Sequence, residues 1–428
     1  MSMGSFATSG SGYEDVYVRI TGWMNGVHEY GFSPSTSNCS TGDTSRGWFT
    51  PLHSGRWMGE QVYQRMDEEW TVEEVPDRER LMAQAALYVG LAYTQFGEVF
   101  CETTANTGPL MTWEETLQEA EGWYDAALQH VSSTGDFEIP NGVSPSIEQT
   151  AYLLRARARL AGGDEAGALA DAEQIEQGFE AWFTREGGGD RKRWNRTVNL
   201  NHDFQLNSVL GPIDGWSGPP NPVTEEDWPA VIPFTGYRDL GILPDGRAVS
   251  DSGHPITTAE PTAVGDTRVP VEDQNRTSNG YPVWYQQKYT SLGDDIAMAR
   301  WQEAWLIRAE IEGGQTAIDL VNDIRADAGL PEISGAYETA LLGDASLLED
   351  MILEEIRRVH FLEGRFWSTK LRHMDKLWFP RGTGSTDNGH NYSAGVRMVM
   401  PESEFELNEN LELTDRGGSC PPHQNPLS

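Results

Sequence analysis

The sequence predicts a mainly α-helical fold in which pairs of helices stack side by side. The phrase Ala151 to Ala156 recurs as Ala304 to Ala309 with four of its six positions identical, and a pair of glycines and a second apolar-periodic segment follow each copy. Repeated helix–turn–helix units of this kind bury their apolar faces against neighbouring units. We therefore expect a helical repeat array, and a long loop-rich stretch between the two copies predicts an irregular subdomain.

Apolar residues at three- and four-residue steps predict the helices of the first half. The capping box Thr112-x-x-Glu115 predicts the start of one helix, and Ser144-Pro145 predicts the start of the helix that carries the first copy of the phrase. The predicted helices in this half are residues 15–30, 49–66, 78–96 and 112–131, the helix opened by Ser144-Pro145, and residues 164–176.

Helical periodicity disappears in residues 179–295, where Pro, Gly, Asn and Trp dominate. A stretch of this length inside a domain is typical of a functional insertion, so we expect it to bind the ligand. The remaining predicted elements are strands at 231–234 and 283–289 and helices at 296–311, 316–326 and 346–362. We treat residues 1–428 as one domain, with a helical scaffold formed by 78–178 and 296–372.

Composition narrows the classes of function. Of the 428 residues 38% are hydrophobic, which suits a large folded core, and the formal net charge is −35. Nucleic acid is an unfavourable partner for such a chain, because phosphate binding needs clustered Lys and Arg. We interpret the acidity as a solvated surface and not as a cation-binding site.

The chain carries no apolar run long enough to span a membrane. Residues 1–12 lack the basic and apolar regions of a signal peptide, so the protein is either cytosolic or has lost its leader. Its three cysteines lack metal-ligand spacing. In an oxidising compartment they allow one disulfide with one thiol left over. We favour the pair Cys101 and Cys420, and the pairings with Cys39 stay open.

Charged clusters favour a structural role over a catalytic one. Opposite charges at helical spacing beside apolar residues predict a structural ion network. This cluster comprises Glu355, Arg357, Arg358, Glu363 and Arg365. The pattern His360-x-x-Glu363 lacks the second His of a zinc-protease helix, and no nucleophile or phosphate-loop motif occurs. We predict a protein that is not an enzyme and that has no catalytic residues, no metal and no cofactor.

Aromatic side chains are the best candidates for ligand contact. Those in the insertion belong to no helical stripe, and two more lie near the start of the second predicted helix. Exposed aromatic faces stack on sugars and also pack against peptides. The alternative is that these rings only hold a loop-rich region together. The candidate ligand-binding residues are Trp48, Trp57, Trp216, Trp228, Tyr237, Tyr281 and Trp284.

The order of several segments resembles the SusD/RagB family. The turn Gly163-Asp164 suits tetratricopeptide-like helix pairs. Phe96-Gly97-Glu98 resembles the end of the family's first repeat helix, and Pro401-x-Ser403-Glu404 resembles its closing segment. Arg357-Arg358 and Glu363-Gly364-Arg365 are similar to the family's ERR…EG-R block. Four features depart from the family pattern: a signal peptide and a lipobox cysteine are missing, Ser368 stands where the family has Asp, and the chain is shorter than typical members.

The resemblance implies a SusD-like fold, in which a tetratricopeptide-like superhelix packs on the loop-rich subdomain. It also implies an outer-membrane lipoprotein at the cell surface that binds an oligosaccharide or peptide nutrient and acts as the lid of a SusC-like TonB-dependent transporter. Contact with the membrane would be only through an N-terminal lipid anchor, which is absent from this chain. The alternatives are a helical-repeat scaffold or self-assembling surface protein and, less favoured, a glycoside hydrolase with two facing carboxylates.

Overall fold

The described part of the chain is mainly α-helical. The computed structural model describes residues 17–19, 49–189, 193–199, 204–206, 267–268, 270–278, 281–374, 397–418 and 420. The helices are α1 (Phe49–Glu68), α2 (Arg78–Val99), α3 (Trp113–Thr134), α4 (Ile147–Gly162), α5 (Glu165–Ala172), α6 (Trp301–Glu312), α7 (Gly314–Asp327), α8 (Gly335–Gly343), α9 (Ala345–Val359), α10 (Phe366–Arg372) and α11 (Glu402–Leu407).

Short antiparallel pairs of strands connect the helices. The strands are β1 (Tyr17–Arg19), β2 (Glu102–Thr103), β3 (Met111–Thr112), β4 (Glu180–Phe183), β5 (Phe204–Leu206), β6 (Val271–Ser278), β7 (Tyr281–Gln286) and β8 (Ile296–Arg300). They pair as β1–β5, β2–β3, β4–β8 and β6–β7. Single 3-10 turns lie at Arg196–Asn199 and Leu413–Asp415.

Helices α2 and α3 approach each other closely because glycine lies at their contact. A Cβ atom at Gly90 would be 2.8 Å from a ring carbon of Tyr124, and one at Gly97 would be 2.5 Å from Cγ of Leu117. Thr112 opens α3 with the predicted capping box: its hydroxyl accepts from the Glu115 amide, and the Glu115 carboxylate accepts from the Thr112 amide. This pair is the first repeat of the array.

The two copies of the repeated phrase lie on α4 and α6, which pack together in one large core. Helix α4 begins at Ile147 with Ser146 as its N-cap, two residues later than the start predicted from Ser144-Pro145. Gly163 ends it in the left-handed region with φ of 88°, and the side chain of Asp164 then caps α5. The first copy therefore forms the predicted helix pair, although α5 ends at Ala172, before the predicted end at residue 176.

Two helix predictions are wrong at their starts. The predicted helix 296–311 begins at Trp301, because Ile296–Arg300 pairs as β8 with β4, from Glu180↔Arg300 to Phe183↔Ile296. In the predicted helix 15–30, residues Tyr17–Arg19 form a strand instead. In both cases a pairing partner distant in sequence overrides the local periodicity. The strand predicted at 231–234 lies outside the described residues, and the strand predicted at 283–289 overlaps β7.

A second, smaller core lies where the C-terminal part of the chain returns to the first repeat. We call residues 397–418 the C-terminal strap. Phe100 forms a parallel bridge with Met398, and the strap contributes apolar side chains to a cluster with α1, α2 and α10. The buried members of this cluster are Phe49, Leu52, Ala92, Phe96, Val99, Phe100, Trp367, Met398, Met400, Phe405 and Leu411.

The charged cluster predicted around Glu355 and Glu363 is a buried network of ion pairs. Glu355 accepts from Arg325 at 2.8 Å and pairs with Arg268, and Glu363 accepts from Lys288 at 2.7 Å and Arg300 at 2.6 Å. These partners come from the end of the insertion and from the second repeat. The pairs therefore join segments that are far apart in sequence, and this supports the predicted structural role.

Candidate ligand-binding groove

An open groove of about 770 Å³ lies between the start of α1, the loop 104–108 and α11. Its volume falls in the usual range for ligand pockets, about 300–1,000 Å³. We call it the Trp57 groove. Its lining residues are Thr50, His53, Ser54, Arg56, Trp57, Met58, Thr104, Asn106, Thr107, Glu404, Leu407 and Asn408.

The groove combines exposed apolar surface with a polar rim. Trp57 is 50% exposed, Met58 60% and Leu407 83%, whereas large apolar side chains are more often covered. Polar side chains surround these apolar residues: hydroxyl groups from α1, hydroxyl and amide groups from loop 104–108, and the amide of Asn408 from the strap. Exposed aromatic surface beside hydrogen-bonding groups is the usual composition of a small-molecule site.

The loop that forms one wall has an unusual backbone. Asn106 and Thr107 both lie in the left-handed region, with φ of 53° and 58°. Such values are uncommon for residues other than glycine, and for a β-branched residue they are strained. Strained backbone of this kind is enriched at ligand sites, where the surrounding structure enforces it.

Hydrogen bonds from the strap hold this loop in place. Asn408 Nδ2 donates to the Gly108 carbonyl at 2.9 Å, and Asn410 Nδ2 donates to the Thr107 carbonyl at 2.8 Å. Within the loop, the Thr104 hydroxyl donates to the same Gly108 carbonyl at 2.8 Å, and the Gly108 amide donates to the Ala105 carbonyl at 2.7 Å. The loop is therefore preorganised by residues about 300 positions away in the sequence.

A buried polar network supports the floor of the groove. Asn106 Nδ2 donates to Glu60 Oε2 at 2.9 Å, and its Oδ1 accepts from Arg56 Nη2 at 3.4 Å. Arg56 also pairs with Glu60 and donates to the Tyr93 hydroxyl at 3.1 Å. Burial raises the pKa of Tyr93, so its hydroxyl stays protonated and donates to Glu60 at 2.8 Å. The network fixes Asn106 and neutralises Arg56.

His53 lines the groove but is not suited to acid–base chemistry. Its ring lies between Phe49 and Phe96, with centroid distances of 4.4 and 4.1 Å. Nδ1 accepts from Arg56 Nε at 3.4 Å. Burial and the Arg56 charge lower the pKa of His53 to about 3, so the ring is neutral at physiological pH.

A second hollow of about 450 Å³ adjoins the groove on the other side of Asn106. Trp123 and Tyr63 meet edge to face along it, with ring centroids 5.3 Å apart, and Trp123 Nε1 donates to Glu119 at 3.2 Å. Because Asn106 lines both spaces, a chain-like ligand could contact both at once.

Of the predicted ligand residues, Trp57 lies in the groove. Trp48, Trp216, Trp228 and Tyr237 lie outside the described residues. Tyr281 and Trp284 are on β7, where their backbones pair with Ser278 and Asp273.

Trp57 is the one lining residue that was predicted to bind ligand; the polar groups not predicted include Asn106, Thr107 and Asn408. The run Asn106-Thr107-Gly108-Pro109 carries turn chemistry that could have indicated the loop. No local signal indicates that Asn408 reaches it.

Neither a membrane-spanning helix nor a metal cluster is found in the described part of the chain. Each helix there is too short or too polar to cross a bilayer. The described residues also contain no group of three or more His, Cys, Asp or Glu side chains arranged to hold a metal.

Similarity to known proteins is found at the level of structure. No protein-family model and no curated protein matches the sequence. A SusD-like carbohydrate binding protein from Bacteroides vulgatus aligns with a TM-score of 0.61 and 14% identity, over 95% of this chain and 91% of that chain. A SusD-like protein from Bacteroides fragilis aligns with a TM-score of 0.58 and 13% identity, over 96% and 93%.

A third similar structure was solved with a bound sugar. It is surface glycan-binding protein A from Bacteroides thetaiotaomicron in complex with laminarihexaose, with a TM-score of 0.54 and 14% identity, over 94% of this chain and 92% of that chain. Each of these alignments covers nearly the whole length of both chains. The expected mainly helical, tetratricopeptide-like architecture is confirmed, and this protein has the fold of the SusD-like proteins.

Proposed function

We propose that this protein binds a carbohydrate in the Trp57 groove and is not an enzyme. The observation that carries the proposal is the half-exposed indole of Trp57 beside the preorganised amide and hydroxyl groups of loop 104–108. An aromatic ring can stack on the apolar face of a sugar while nearby amides and hydroxyls bond its hydroxyl groups. Similar folds include a carbohydrate binding protein and a protein solved with laminarihexaose.

The charges around the groove favour a neutral glycan. Arg56 is neutralised by Glu60, and His53 is uncharged, so neither offers a free positive charge to a ligand. Glu404 on the rim and the net charge of −35 repel anions. We therefore expect neutral oligosaccharides to bind better than sugars that carry carboxylate or sulfate groups.

A binding role is also favoured because the groove lacks the groups that catalysis needs. Among its described lining residues Glu404 is the single carboxylate, whereas glycoside hydrolysis generally uses two carboxylates facing each other. With its pKa lowered to about 3, His53 is a weak base and carries no imidazolium proton to donate near neutral pH. These features make the glycoside hydrolase alternative less favourable.

The remaining parts of the proposal rest on the resemblance of the fold. They are attachment to the outer membrane at the cell surface as a lipoprotein, and action as the lid of a SusC-like TonB-dependent transporter. A peptide ligand is the alternative to a glycan, since aromatic platforms also bind peptides. The insertion 179–295 stays a predicted contributor to ligand binding. A transporter that co-purifies with the tagged protein from its native membrane would support the partnership.

Calorimetry on the full chain with laminarihexaose and a series of other neutral hexasaccharides tests the proposed ligand site. In Trp57→Ala, loss of stacking worth about 1.5 kcal/mol should weaken binding about tenfold. Trp70→Ala is the matched control, because Trp70 is also partly exposed but lies outside the groove, and its affinity should be unchanged. If Trp57→Ala and wild type bind the sugar equally well, the ligand does not bind in the Trp57 groove. If only peptides bind in the screen, the proposal that the ligand is a carbohydrate is wrong.

A further inference from the structure

The C-terminal strap crosses directly over the segment that leads into the groove loop. The Met398 amide donates to the Val99 carbonyl and the Cys101 amide donates to the Met398 carbonyl, both at 2.7 Å. The carboxylate of Glu102 then accepts from the amides of Met400 at 3.3 Å and Gly417 at 2.9 Å. One side chain next to Cys101 therefore holds both the beginning and the end of the strap.

Two cysteines lie at this crossing. Cys101 is buried, and its thiol lies 3.8 Å from the Arg397 carbonyl. Cys420 is partly exposed, and its amide donates to the Gly417 carbonyl at 3.3 Å, within one turn of the residue held by Glu102. Both are thiols in this structure.

The side chains of Cys101 and Cys420 interact directly. Burial raises the pKa of the Cys101 thiol, and hydrogen bonding with the Cys420 side chain raises it further. Burial lowers the pKa of Arg397, and Cys420 and Cys101 both counter this effect because their sulfurs lie near the guanidinium. The third cysteine, Cys39, lies outside the described residues.

We propose that Cys101 and Cys420 form a disulfide that locks the C-terminal strap in place as a wall of the Trp57 groove. The crosslink itself does not depend on the proposed function; only its consequence for the groove rests on that function. The strap supplies Leu407 and Asn408 to the groove, and Asn408 and Asn410 hold the strained loop. A covalent bond at the end of the strap would oppose its detachment from the loop.

The order of the chemical steps follows from exposure. The more accessible Cys420 thiolate attacks the disulfide of an oxidised carrier, either a dithiol oxidoreductase or oxidised glutathione, and one carrier thiolate leaves. Cys101 then loses its proton and attacks the Cys420 sulfur, which expels the second carrier thiolate. The two cysteines lose two electrons and two protons in total, and the carrier disulfide is reduced to two thiols.

The first test measures the crosslink in the full chain with Cys39→Ser, which removes the competing thiol. After oxidation with glutathione disulfide, non-reducing peptide mapping should give a linked peptide containing Cys101 and Cys420, lighter by two hydrogens than the separate peptides. Alkylation should find no free thiol after oxidation and both thiols after reduction. Two alkylated thiols after oxidation would overturn the proposal, and so would a linkage of Cys39 to either cysteine in the wild-type chain.

The second test measures, without any ligand, whether the disulfide holds the C-terminal strap in place. A negative result here can therefore be told apart from a failure of glycan binding. Hydrogen–deuterium exchange of residues 397–418 should be roughly tenfold slower in the oxidised Cys39→Ser protein than in its reduced form. In Cys39→Ser/Cys420→Ser, the exchange should be the same with and without oxidant. Equal exchange of the oxidised and reduced Cys39→Ser protein, despite a linked peptide, would show that the disulfide does not lock the strap.

Discussion

Replacing Glu310 by Gln should make the protein less stable at neutral pH, and the effect should shrink as the pH falls. Glu310 lies on α6 and accepts from Arg372 at 2.8 and 3.0 Å and from His373 Nε2 at 2.9 Å. Burial alone would raise the pKa of this carboxyl, but Arg372 and His373 outweigh burial and lower it from 4.5 to about 2. The native state therefore favours the ionised form of Glu310.

The size of the effect follows from linkage between ionisation and folding. A pKa that falls from 4.5 to about 2 on folding corresponds to about 3 kcal/mol of stability. Because the folded pKa is the lower one, this contribution is complete well above pH 4.5 and is lost as the pH falls towards 2. The difference in unfolding free energy between wild type and Glu310→Gln should therefore be about 3 kcal/mol at pH 7 and about 2 kcal/mol at pH 3.5.

Urea unfolding of wild type, Glu310→Gln and a control variant at several pH values measures this difference. Glu312→Gln is the control, since Glu312 lies on the same helix but pairs with Arg308 near the surface at 3.2 Å. It should change stability by less than about 1 kcal/mol at any pH. The reasoning about this largely buried carboxylate is wrong if Glu310→Gln behaves like Glu312→Gln. It is also wrong if the loss of unfolding free energy in Glu310→Gln does not become smaller below pH 4.5.

Two further predictions concern backbone positions. In Gly97→Ala, the new Cβ would lie 2.5 Å from Cγ of Leu117, so crowding between α2 and α3 should lower the unfolding free energy by about 1–3 kcal/mol, whereas Gly122→Ala on open helix surface should not lower it. In Thr107→Gly, release of the strained φ of 58° should raise the unfolding free energy by about 1 kcal/mol. Chemical denaturation measures both, and a stabilised Gly97→Ala or a destabilised Thr107→Gly would contradict the packing and strain arguments.

The sequence predicted the elements that depend on local interactions. The apolar spacing of α2 and the capping box of α3 involve residues within a few positions of each other, so both could be recognised without the rest of the chain. The same holds for the repeated phrase on α4 and α6, since each copy has the same local helical periodicity. The segments that resemble the SusD/RagB family supplied the architecture in which these helices pack.

The features of the fold and of the groove that could not be predicted depend on contacts between residues far apart in sequence. Ile296–Arg300 has helical neighbours in sequence but becomes a strand because β4 is available to pair with it. The residues of the groove were equally hard to predict from sequence. Trp57 was one of seven aromatic candidates, but its exposure depends on how α1 packs, and the hydrogen bond from Asn408 to the groove loop joins segments about 300 residues apart.

A crystal structure of the full chain soaked with the tightest-binding neutral oligosaccharide tests the central claim most directly. The account predicts a sugar ring stacked on the indole of Trp57, with hydroxyl groups bonded to loop 104–108 and the other lining groups unchanged in position. The adjoining hollow at Trp123 should hold further sugar units of a long ligand. An oligosaccharide bound elsewhere on the protein, with the Trp57 groove empty, would contradict the account.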